Sequence, residues 1–494
     1  GSILGNIVDN ATLTFARSDN VTFANTISGT GGLIQAGAGT LTLTGANTYA
    51  GGTTISSGIL QVGANGTIGS ILGNIVDNAT LTFARSDNVT FANIISGTGG
   101  FVQAGAGTLI FSNNNTYAGG TLISNGTLQL GNGAAAGMHG LGDVVNNSHL
   151  IFNRSDGGHY DQVISGTGDV TKAGAGTLIY TRDNTYSGGT IISDGAIQVG
   201  RNSYDPADPY ELITNTGGTT GSIGAGPVLN NSHLIFNRSD NISYTGTVTG
   251  TGDFIKNGSG ALTISSNANA FSGGVVINAG KLLVTNSAGS ATGSGAVNVN
   301  NGAAFGGTGL ISGALIINGG GSVSPGSSPG QLQVGNGTTF ASGGHYVFEI
   351  NNTAGAPGTN WDLLSISGGL TISATVSTPF VLDLVSLNAG NTNGLLANFD
   401  PTLAYSWKFV TTTTGITGFS AGAFQYNASN FSNSLDIGHF YVSQAGNDLY
   451  LNFTPVPEPT TWVLLSLGLS SVLLSLRRKS RARLVESRGS VPCG

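Results

Sequence analysis

The chain is poor in cysteine and in charge, and each shortage excludes a class of protein. Its one cysteine, Cys493, cannot form an internal disulfide, which excludes a disulfide-stapled secreted domain. Only 8% of its 494 residues are charged, against about 25% in ordinary globular domains, so ion-pair networks do not hold the fold together. The formal net charge of −7 argues against nucleic acid as a partner, because that partner requires a basic footprint.

What the chain does contain is glycine, 82 residues of it, and a repeated segment. The stretch Ala36 to Val62, AGAGTLTLTGANTYAGGTTISSGILQV, returns from Ala104 and from Ala173, and a diverged fourth copy begins at Asn257. One glycine marks the same position in all four copies: Gly39, Gly107, Gly176 and Gly260. The first steps are 68 and 69 residues, and the last is longer because residues 201–216 are inserted. A fixed period of this kind predicts a repeat architecture.

Short runs of alternating apolar residues fill each copy, and such runs are typical of half-buried β-strands. In the first copy they are Leu13/Phe15, Val21/Phe23, Leu41/Leu43 and Leu60/Val62. Glycine, asparagine, serine and threonine between the runs supply turns. The pattern predicts an all-β solenoid with about three coils per 68-residue repeat. With coils about 4.8 Å apart, equivalent residues of adjacent repeats are expected about 14 Å apart along the rod, so stacked neighbours must come from different strands of one repeat.

The stretch GAGTLTLTGANTYAGGTTISSGILQVG resembles the autotransporter-associated β-strand repeat of passenger and surface proteins from Gram-negative bacteria. The resemblance covers nearly all of residues 1–285. The fourth copy departs from the pattern, with Gly-Ser-Gly-Ala for Gly-Ala-Gly-Thr and Phe271 for a tyrosine. The resemblance implies a right-handed parallel β-helix that is exported from the cytoplasm, and it implies no catalytic site.

An Arg-Ser-Asp triplet follows a strand in each repeat, at residues 17–19, 85–87, 154–156 and 238–240. We interpret it as a surface turn in which arginine and aspartate pair locally, because aspartate stabilises turns by bonding backbone groups. The alternative is a carbohydrate or calcium site repeated along the rod. One aspartate per repeat supplies far fewer carboxylates than a calcium-binding repeat requires.

The histidines show no metal-ligand spacing with Cys, Asp or another His. His149 and His233 share one repeat position, where other copies have Thr12 and Thr80, and are interpreted as structural substitutions. The other four are His139, His159, His345 and His439.

No convincing G-x-S-x-G nucleophile motif is present. We therefore predict no catalytic residue, no metal ligand and no cofactor.

Beyond the repeats, the sequence predicts degenerate last coils over 286–335 and a β-rich cap over 336–455. The cap is either a distorted end of the solenoid or a separate small β-domain. A cap is expected because the last coil must hide its open strand edges. Three acids on the longer strands of the cap, Glu349, Asp362 and Asp383, are candidates for a site, but we expect them to be solvated, as strand-flanking carboxylates usually are. At the other end, GSILGN at residues 1–6 recurs at residues 69–74, so the chain is expected to be a fragment that begins inside a repeat.

The C-terminal segment, residues 456–483, has a different composition. An apolar run over 460–476 follows a Pro-Glu-Pro motif, spans roughly 26 Å as a helix, and predicts a transmembrane helix. Basic residues come next, so we expect the C-terminus in the cytoplasm and the rod outside the inner membrane. The residues of the anchor and its basic stop are Trp462, Leu464, Leu465, Leu467, Leu469, Leu473, Leu474, Arg477, Arg478, Lys479 and Arg481.

This combination resembles the PEP-CTERM protein-sorting signal. The resemblance implies that an exosortase-like membrane protease or transpeptidase recognises Pro457, Glu458 and Pro459 and delivers the protein to the bacterial envelope, the cell surface or the medium after transient anchoring in the inner membrane. Proteins with this signal are typical of bacteria that make exopolysaccharide and biofilm. Residues 484–494 continue past the point where such tails usually stop.

Three functions are compatible with the sequence. The first is a non-enzymatic rod of the cell surface or extracellular matrix, of the adhesion or biofilm type, with exopolysaccharide as its candidate ligand and self-association through open strand edges. The second is a β-helix polysaccharide lyase or hydrolase, whose best candidate acids are Asp205, Asp208 and Glu211 in the inserted segment. The third is a fragment of an autotransporter passenger, which shares the repeats.

Overall fold

The computed structural model describes residues 3–201, 217–456 and 472–477. Its short strands, separated by glycine-rich turns, wind into a parallel β-solenoid of about 16 turns. At roughly 4.8 Å per turn, the rod is roughly 75 Å long. The all-β solenoid predicted from the alternating pattern is therefore confirmed.

The first two repeats contain sixteen strands of two to eight residues. In chain order they are β1 (Ile7–Val8), β2 (Thr12–Phe15), β3 (Val21–Phe23), β4 (Ile27–Ser28), β5 (Gly32–Gln35), β6 (Thr40–Leu43), β7 (Thr53–Ile55), β8 (Ile59–Gly66), β9 (Ile75–Asp77), β10 (Thr80–Arg85), β11 (Val89–Phe91), β12 (Ile95–Ser96), β13 (Gly100–Gln103), β14 (Thr108–Phe111), β15 (Thr121–Ile123) and β16 (Thr127–Leu130).

The third and fourth repeats continue the same succession. Their strands are β17 (Val144–Asn146), β18 (His149–Phe152), β19 (Gly158–Tyr160), β20 (Ile164–Ser165), β21 (Asp169–Lys172), β22 (Thr177–Tyr180), β23 (Thr190–Ile192), β24 (Ala196–Val199), β25 (Val228–Asn230), β26 (His233–Phe236), β27 (Ile242–Tyr244), β28 (Val248–Gly250), β29 (Asp253–Lys256), β30 (Ala261–Ile264), β31 (Ala270–Phe271), β32 (Val275–Ile277) and β33 (Gly280–Val284).

Longer strands appear towards the C-terminal end, together with one 3₁₀ turn at Ala421–Ala423 and a helical turn at 472–477. The strands are β34 (Val297–Val299), β35 (Ala303–Gly307), β36 (Leu310–Ile311), β37 (Leu315–Ile317), β38 (Ser322–Pro325), β39 (Gln331–Val334), β40 (Thr338–Phe340), β41 (His345–Ile350), β42 (Leu363–Ile366), β43 (Leu370–Ile372), β44 (Phe380–Ser386), β45 (Tyr405–Thr412), β46 (Ile416–Thr417), β47 (Phe424–Asn430), β48 (His439–Ala445) and β49 (Asp448–Thr454).

Each strand pairs with the strand one turn further along the chain. Leu13 pairs with Leu33, Leu33 with Thr53, and Thr53 with Ile75, so a turn takes between 20 and 22 residues here. Stacked neighbours are thus different strands of one repeat, as predicted. Among the described strands, every pairing is parallel except those of β45 with β49 and of β48 with β49.

A repeat is slightly longer than three turns. Three turns carry the stack from Leu13 to Ile75, whereas the sequence equivalent of Leu13 is Leu81, six residues further on. The strands that hold this equivalent position, β2, β10, β18 and β26, accordingly belong to four different sheets. A turn has three sides where it is complete, as from β2 to β5, and elsewhere, as from β5 to β7, only two of the sides are strands. Each repeat is therefore offset from the last by one side, or about one third of a turn.

Inward-facing apolar residues form one continuous core along the rod. Some of the core tyrosines have satisfied hydroxyl groups, since the hydroxyl of Tyr49 lies 2.7 Å from that of Thr53, and Tyr117 and Thr121 repeat the contact. A buried asparagine, Asn47, ties three turns together. Its side chain accepts from the Ile27 amide and donates to the Ser70 carbonyl.

The last turns are closed by an antiparallel hairpin. Strand β49 pairs with β45 and with β48, which is the edge strand of that sheet. The outward backbone amide of Val442 on β48 donates to the hydroxyl of Tyr426, 2.7 Å away, so this edge has one fewer free amide for pairing with another strand.

Two of the sheets run without interruption through residues 286–335 and past residue 336. The division of the chain at 285, 335 and 455 stays a prediction.

Candidate functional surface

The Arg-Ser-Asp turns are staples between successive turns of the rod. Arg85 binds Asp87 through two parallel hydrogen bonds of 2.9 and 2.7 Å, which confirms the predicted local pair. The same guanidinium donates to the carbonyl of Thr67 in the preceding turn, 2.6 Å away. The hydrogen bond from Arg85 lowers the pKa of Asp87. Because both charges are engaged within the fold, the turn serves the structure.

The Gly-Ala-Gly turn stacks directly on this staple. A Cβ atom on Gly105 would lie 2.0 Å from the carbonyl oxygen of Arg85, and one on Gly107 would lie 2.0 Å from that of Asp87. Both distances are far inside van der Waals contact, so only glycine fits. The two most recurrent motifs of the sequence therefore form one structural unit, with the Arg-Ser-Asp turn beneath and the glycine turn above.

Cavities lie beside three of these staples, and the one in the first repeat, beside Arg17 and Asp19, has a volume of about 660 Å³. One of about 120 Å³ in the third repeat is lined by Arg154, His159 and Lys172, among others. One of about 380 Å³ in the fourth repeat lies beside Arg238, below strand β27. Strand β27 is the first strand of its sheet, so no strand underlies it there. None of these cavities was expected from the sequence.

Three histidines pair with aspartates across adjacent strands. His149 contacts Asp169, His233 Nδ1 lies 3.3 Å from a carboxylate oxygen of Asp253, and His345 pairs with Asp383 at 2.8 Å. The interpretation of His149 and His233 as substitutions at one repeat position is correct, but their partners were missed. The signal was present in the next turn, where both aspartates replace the glycines Gly32 and Gly100.

The acids of the C-terminal strands are not uniformly solvated, contrary to the expectation. Asp362 is fully buried and accepts hydrogen bonds from the backbone amides of Gly330 and Glu349, at 2.8 and 3.0 Å. Burial, reinforced by the neighbouring Glu349, raises the pKa of Asp362 well above its usual value. The prediction failed because Asp362, which directly precedes β42, lies against the backbone at Gly330 in the preceding turn. This carboxyl group fastens that segment and does not reach solvent.

Several predicted residues lie outside the described part of the chain. These are Pro457, Glu458, Pro459, Trp462, Leu464, Leu465, Leu467, Leu469, Arg478, Lys479, Arg481, Asp205, Asp208 and Glu211. Leu473, Leu474 and Arg477 belong to the helical turn at 472–477. Within the described ranges, no helix has the length and apolar character needed to span a membrane. Nor does any group of three His, Cys, Asp or Glu side chains there have the arrangement of a metal site.

Comparison with known protein families identifies both sequence resemblances. The passenger-associated-transport-repeat model matches residues 33–62, 101–130, 170–199 and 254–284. The PEP-CTERM protein-sorting motif matches residues 455–479. The two resemblances inferred from the sequence are thereby confirmed, and the sorting motif implies processing by exosortase, a membrane enzyme.

Two curated proteins are similar to parts of the chain. The adhesin BmaC autotransporter of Brucella suis biovar 1 (strain 1330) is 28% identical over 339 residues, which cover 53% of this chain and 10% of the adhesin. The uncharacterized lipoprotein YdeK of Escherichia coli (strain K12) is 33% identical over 201 residues, 39% of this chain and 15% of the lipoprotein. The chain thus spans a small part of either relative. The repeats and the sorting motif together indicate export to the cell envelope or surface.

Proposed function

We propose that this chain, which carries four passenger-associated-transport repeats and a PEP-CTERM motif, is a non-enzymatic surface or matrix rod of the adhesion or biofilm type. The observation that carries the proposal is the union of a continuous β-solenoid with a C-terminal sorting motif in one polypeptide. The similarity to an adhesin supports the same function. A rod of this kind presents many similar binding contacts at a fixed spacing, so that weak individual contacts add up to firm attachment.

The outward face of the eleven-stranded sheet suits weak, repeated contacts. Its central ladder is uncharged and runs in register: Ile255, Val276, Asn298, Ile316 and Thr339. Beside it, the amides of Asn257, Asn278, Asn300 and Asn318 hydrogen-bond one to the next at 2.8 to 2.9 Å. Groups that recur about every 4.8 Å bind a long neutral polymer through avidity.

We assign the C-terminal tail to sorting. Exosortase would recognise Pro457, Glu458 and Pro459, while residues 460–476 hold the precursor in the inner membrane. Mass spectrometry of the mature protein from its native host, with its cell fraction, tests this assignment. We expect a C-terminus near Pro457 to Pro459 in the envelope or medium. A chain that still carries Leu464 to Arg483 in the inner membrane would refute sorting.

A pair of point variants sharpens the sorting test. Glu458→Ala alters the motif and is expected to leave unprocessed precursor in the membrane fraction. Glu486→Ala makes the same chemical change downstream of the basic residues and is expected to be processed like the unmodified chain. Equal processing of both variants would contradict recognition through Pro457, Glu458 and Pro459.

Deletion of the coding sequence in the native host tests adhesion. We expect reduced retention of cells in biofilm or on an exopolysaccharide-coated surface, restored when the full chain is supplied again. Retention that does not change on deletion would contradict an adhesive or matrix role and leave only export.

A further inference from the structure

The cavity beside Arg238 in the fourth repeat has the features of a small-molecule site. Its volume of about 380 Å³ falls within the range of about 300–1,000 Å³ that is usual for ligand pockets. Val199, Ile223 and Ile242 are among its apolar lining residues, and Tyr244 lines it from β27. The Tyr244 ring lies against Phe236, with the ring centroids 5.3 Å apart.

A comparison between repeats shows what is unusual about this cavity. Two positions of the repeat matter, and the buried asparagines align the first of them. Asn47, Asn115 and Asn184 each donate to the carbonyl of a residue in the next turn, namely Ser70, Met138 and Ser222. The residues that follow these carbonyls, Ile71, His139 and Ile223, are therefore equivalent.

The second position is the last residue of the strand after each Arg-Ser-Asp turn, held by Phe91, Tyr160 and Tyr244. In the second repeat the two positions hold Ile71 and Phe91, and both are buried and apolar. In the third repeat they hold His139 and Tyr160, whose Nε2 and hydroxyl oxygen lie 2.6 Å apart in the core. In each of these two repeats, the side chains at the two positions have the same polarity: both are apolar in the second repeat and both are polar in the third.

The fourth repeat breaks this matching. It combines the tyrosine of the third repeat with an isoleucine like that of the second, and Ile223 offers no polar atom to Tyr244. The Tyr244 hydroxyl is buried and has no hydrogen-bond partner among the described residues. A buried hydroxyl without a partner is destabilising, so its presence in a cavity of ligand size indicates that a bound molecule supplies the missing partner.

The remaining polar groups define the chemistry of that molecule. Ser243 and Thr245 add hydroxyl groups, and Asp183 adds a carboxylate, one oxygen of which accepts from the Gly221 amide at 2.9 Å and lies 3.7 Å from Arg238. Arg238 is committed to the protein, since it binds Asp240 at 2.7 and 2.8 Å and the carbonyls of Gly221 and Thr219 at 2.6 and 2.7 Å. Because Asp240 and Asp183 compensate the charge of Arg238, the cavity suits a neutral molecule with hydroxyl groups on an apolar ring.

We propose that this cavity binds one neutral sugar residue of a glycan, with its hydroxyl groups bonded to Tyr244 and Asp183 and its apolar face against Ile223 and Ile242. The inference deepens the proposed function, because it gives the rod one specific sugar site in addition to its repeated outward ladders. Polar groups that converge above an apolar floor are the usual design of such sites.

Titration of the purified full chain with the methyl glycosides of glucose, galactose, mannose and N-acetylglucosamine, followed by saturation-transfer NMR, tests the proposal. We expect saturable binding of at least one glycoside. Tyr244→Phe keeps the ring and removes the hydroxyl, and is expected to weaken binding at least tenfold, or ~1.4 kcal/mol. Tyr160→Phe is the matched control, because that hydroxyl is used by His139, and it should bind like the unmodified chain.

Ile223→His provides a second variant that does not depend on loss of folding. It recreates the histidine–tyrosine pair of the third repeat, so it should satisfy the Tyr244 hydroxyl internally and abolish sugar binding while the β-sheet circular dichroism is retained. Absence of saturable binding by all four glycosides overturns the proposal, as does equal binding by the Tyr244→Phe variant. Neither result bears on sorting or on biofilm retention, which are measured in cells.

Discussion

One repeat position shows how a single atom tunes the stability of the rod. In the third repeat it holds Asn146, whose side-chain amide donates to the carbonyl of Asp169 at 2.8 Å. In the second repeat it holds Asp77, whose Oδ1 accepts from the Ala79 amide while Oδ2 is buried without a partner among the described residues. Burial raises the pKa of Asp77 to about 6. A carboxylate has no N–H or O–H group to donate, whereas the asparagine at this position in the third repeat donates a hydrogen bond.

Asp77→Asn is therefore expected to stabilise the protein near neutral pH. The new amide can donate to the carbonyl of Gly100, which stands where Asp169 stands in the third repeat. Because the raised pKa means that the folded state binds the proton more tightly than the unfolded state, the native aspartate loses stability as pH rises from about 4 to about 6. Urea unfolding at pH 8 should show a gain of about 1–3 kcal/mol in the free energy of unfolding, shrinking towards pH 4.

The reverse change, Asn146→Asp, serves as the control for that prediction. It removes the donor from a position where the donor is used, so it should destabilise the protein at pH 8 and less at pH 4. A pH-independent effect of Asp77→Asn would show that the buried oxygen is satisfied by solvent.

At the scale of the element, the turn stack explains why two motifs recur together. The Gly-Ala-Gly turn can approach the Arg-Ser-Asp turn only because neither glycine has a side chain. The approach brings the amide of Gly107 to 3.0 Å from the carbonyl of Arg85, and the amide of Gly105 to 3.1 Å from that of Phe83.

Gly105→Ala should disrupt this stack. The added methyl group would lie 2.0 Å from a backbone oxygen held by its own hydrogen bond, so the turn must open. We expect a loss of about 3 kcal/mol or more in the free energy of unfolding. Gly66→Ala is the matched control, since a Cβ atom on Gly66 would have no other atom within 4 Å, and it should cost less than about 1 kcal/mol. Equal melting temperatures for the two variants would contradict the stack.

For the whole molecule, the important quantity is the difference between the length of one sequence repeat and the length of three turns of the solenoid. Because a repeat exceeds three turns by one strand, equivalent surfaces of successive repeats face different directions. The cavity of the fourth repeat and the pair of Tyr160 with His139 in the third therefore lie on different faces of the rod. A solenoid of this kind presents its variable positions around its circumference.

Removal of residues 81–149 tests this geometry. The deletion joins Thr80 to Leu150 and keeps every turn-to-turn neighbour of the same type, so we expect an intact β-sheet spectrum. Small-angle scattering should show a rod shorter by roughly 16 Å, equal to about three and one third turns of 4.8 Å. A loss of β-structure would mean that the faces of the rod are not interchangeable.

The C-terminal strands show where sequence reasoning was incomplete. Longer strands after residue 336 predicted a closing element, and the hairpin of β48 and β49 does pair with the last turns, while a cap over 336–455 stays a prediction. The burial of Asp362 was missed, because its position directly before a strand does not reveal the loop at Gly330 that covers it. A contact between residues 32 positions apart depends on the path of the chain between them.

By itself, the sequence determined the parallel β-solenoid, the Arg–Asp turns and the sorting motif. These follow from local alternation, from residue types that suit turns, and from motifs that are contiguous in the chain. Only the tertiary structure decided the rotation of each repeat, the histidine–aspartate pairs and the unpartnered hydroxyl of Tyr244. Those features depend on which residues of one coil pair with which residues of the next, about 20 positions further along the chain. That pairing is set by the combined lengths of all the loops in the coil. A difference of one strand changes the face on which a side chain lies.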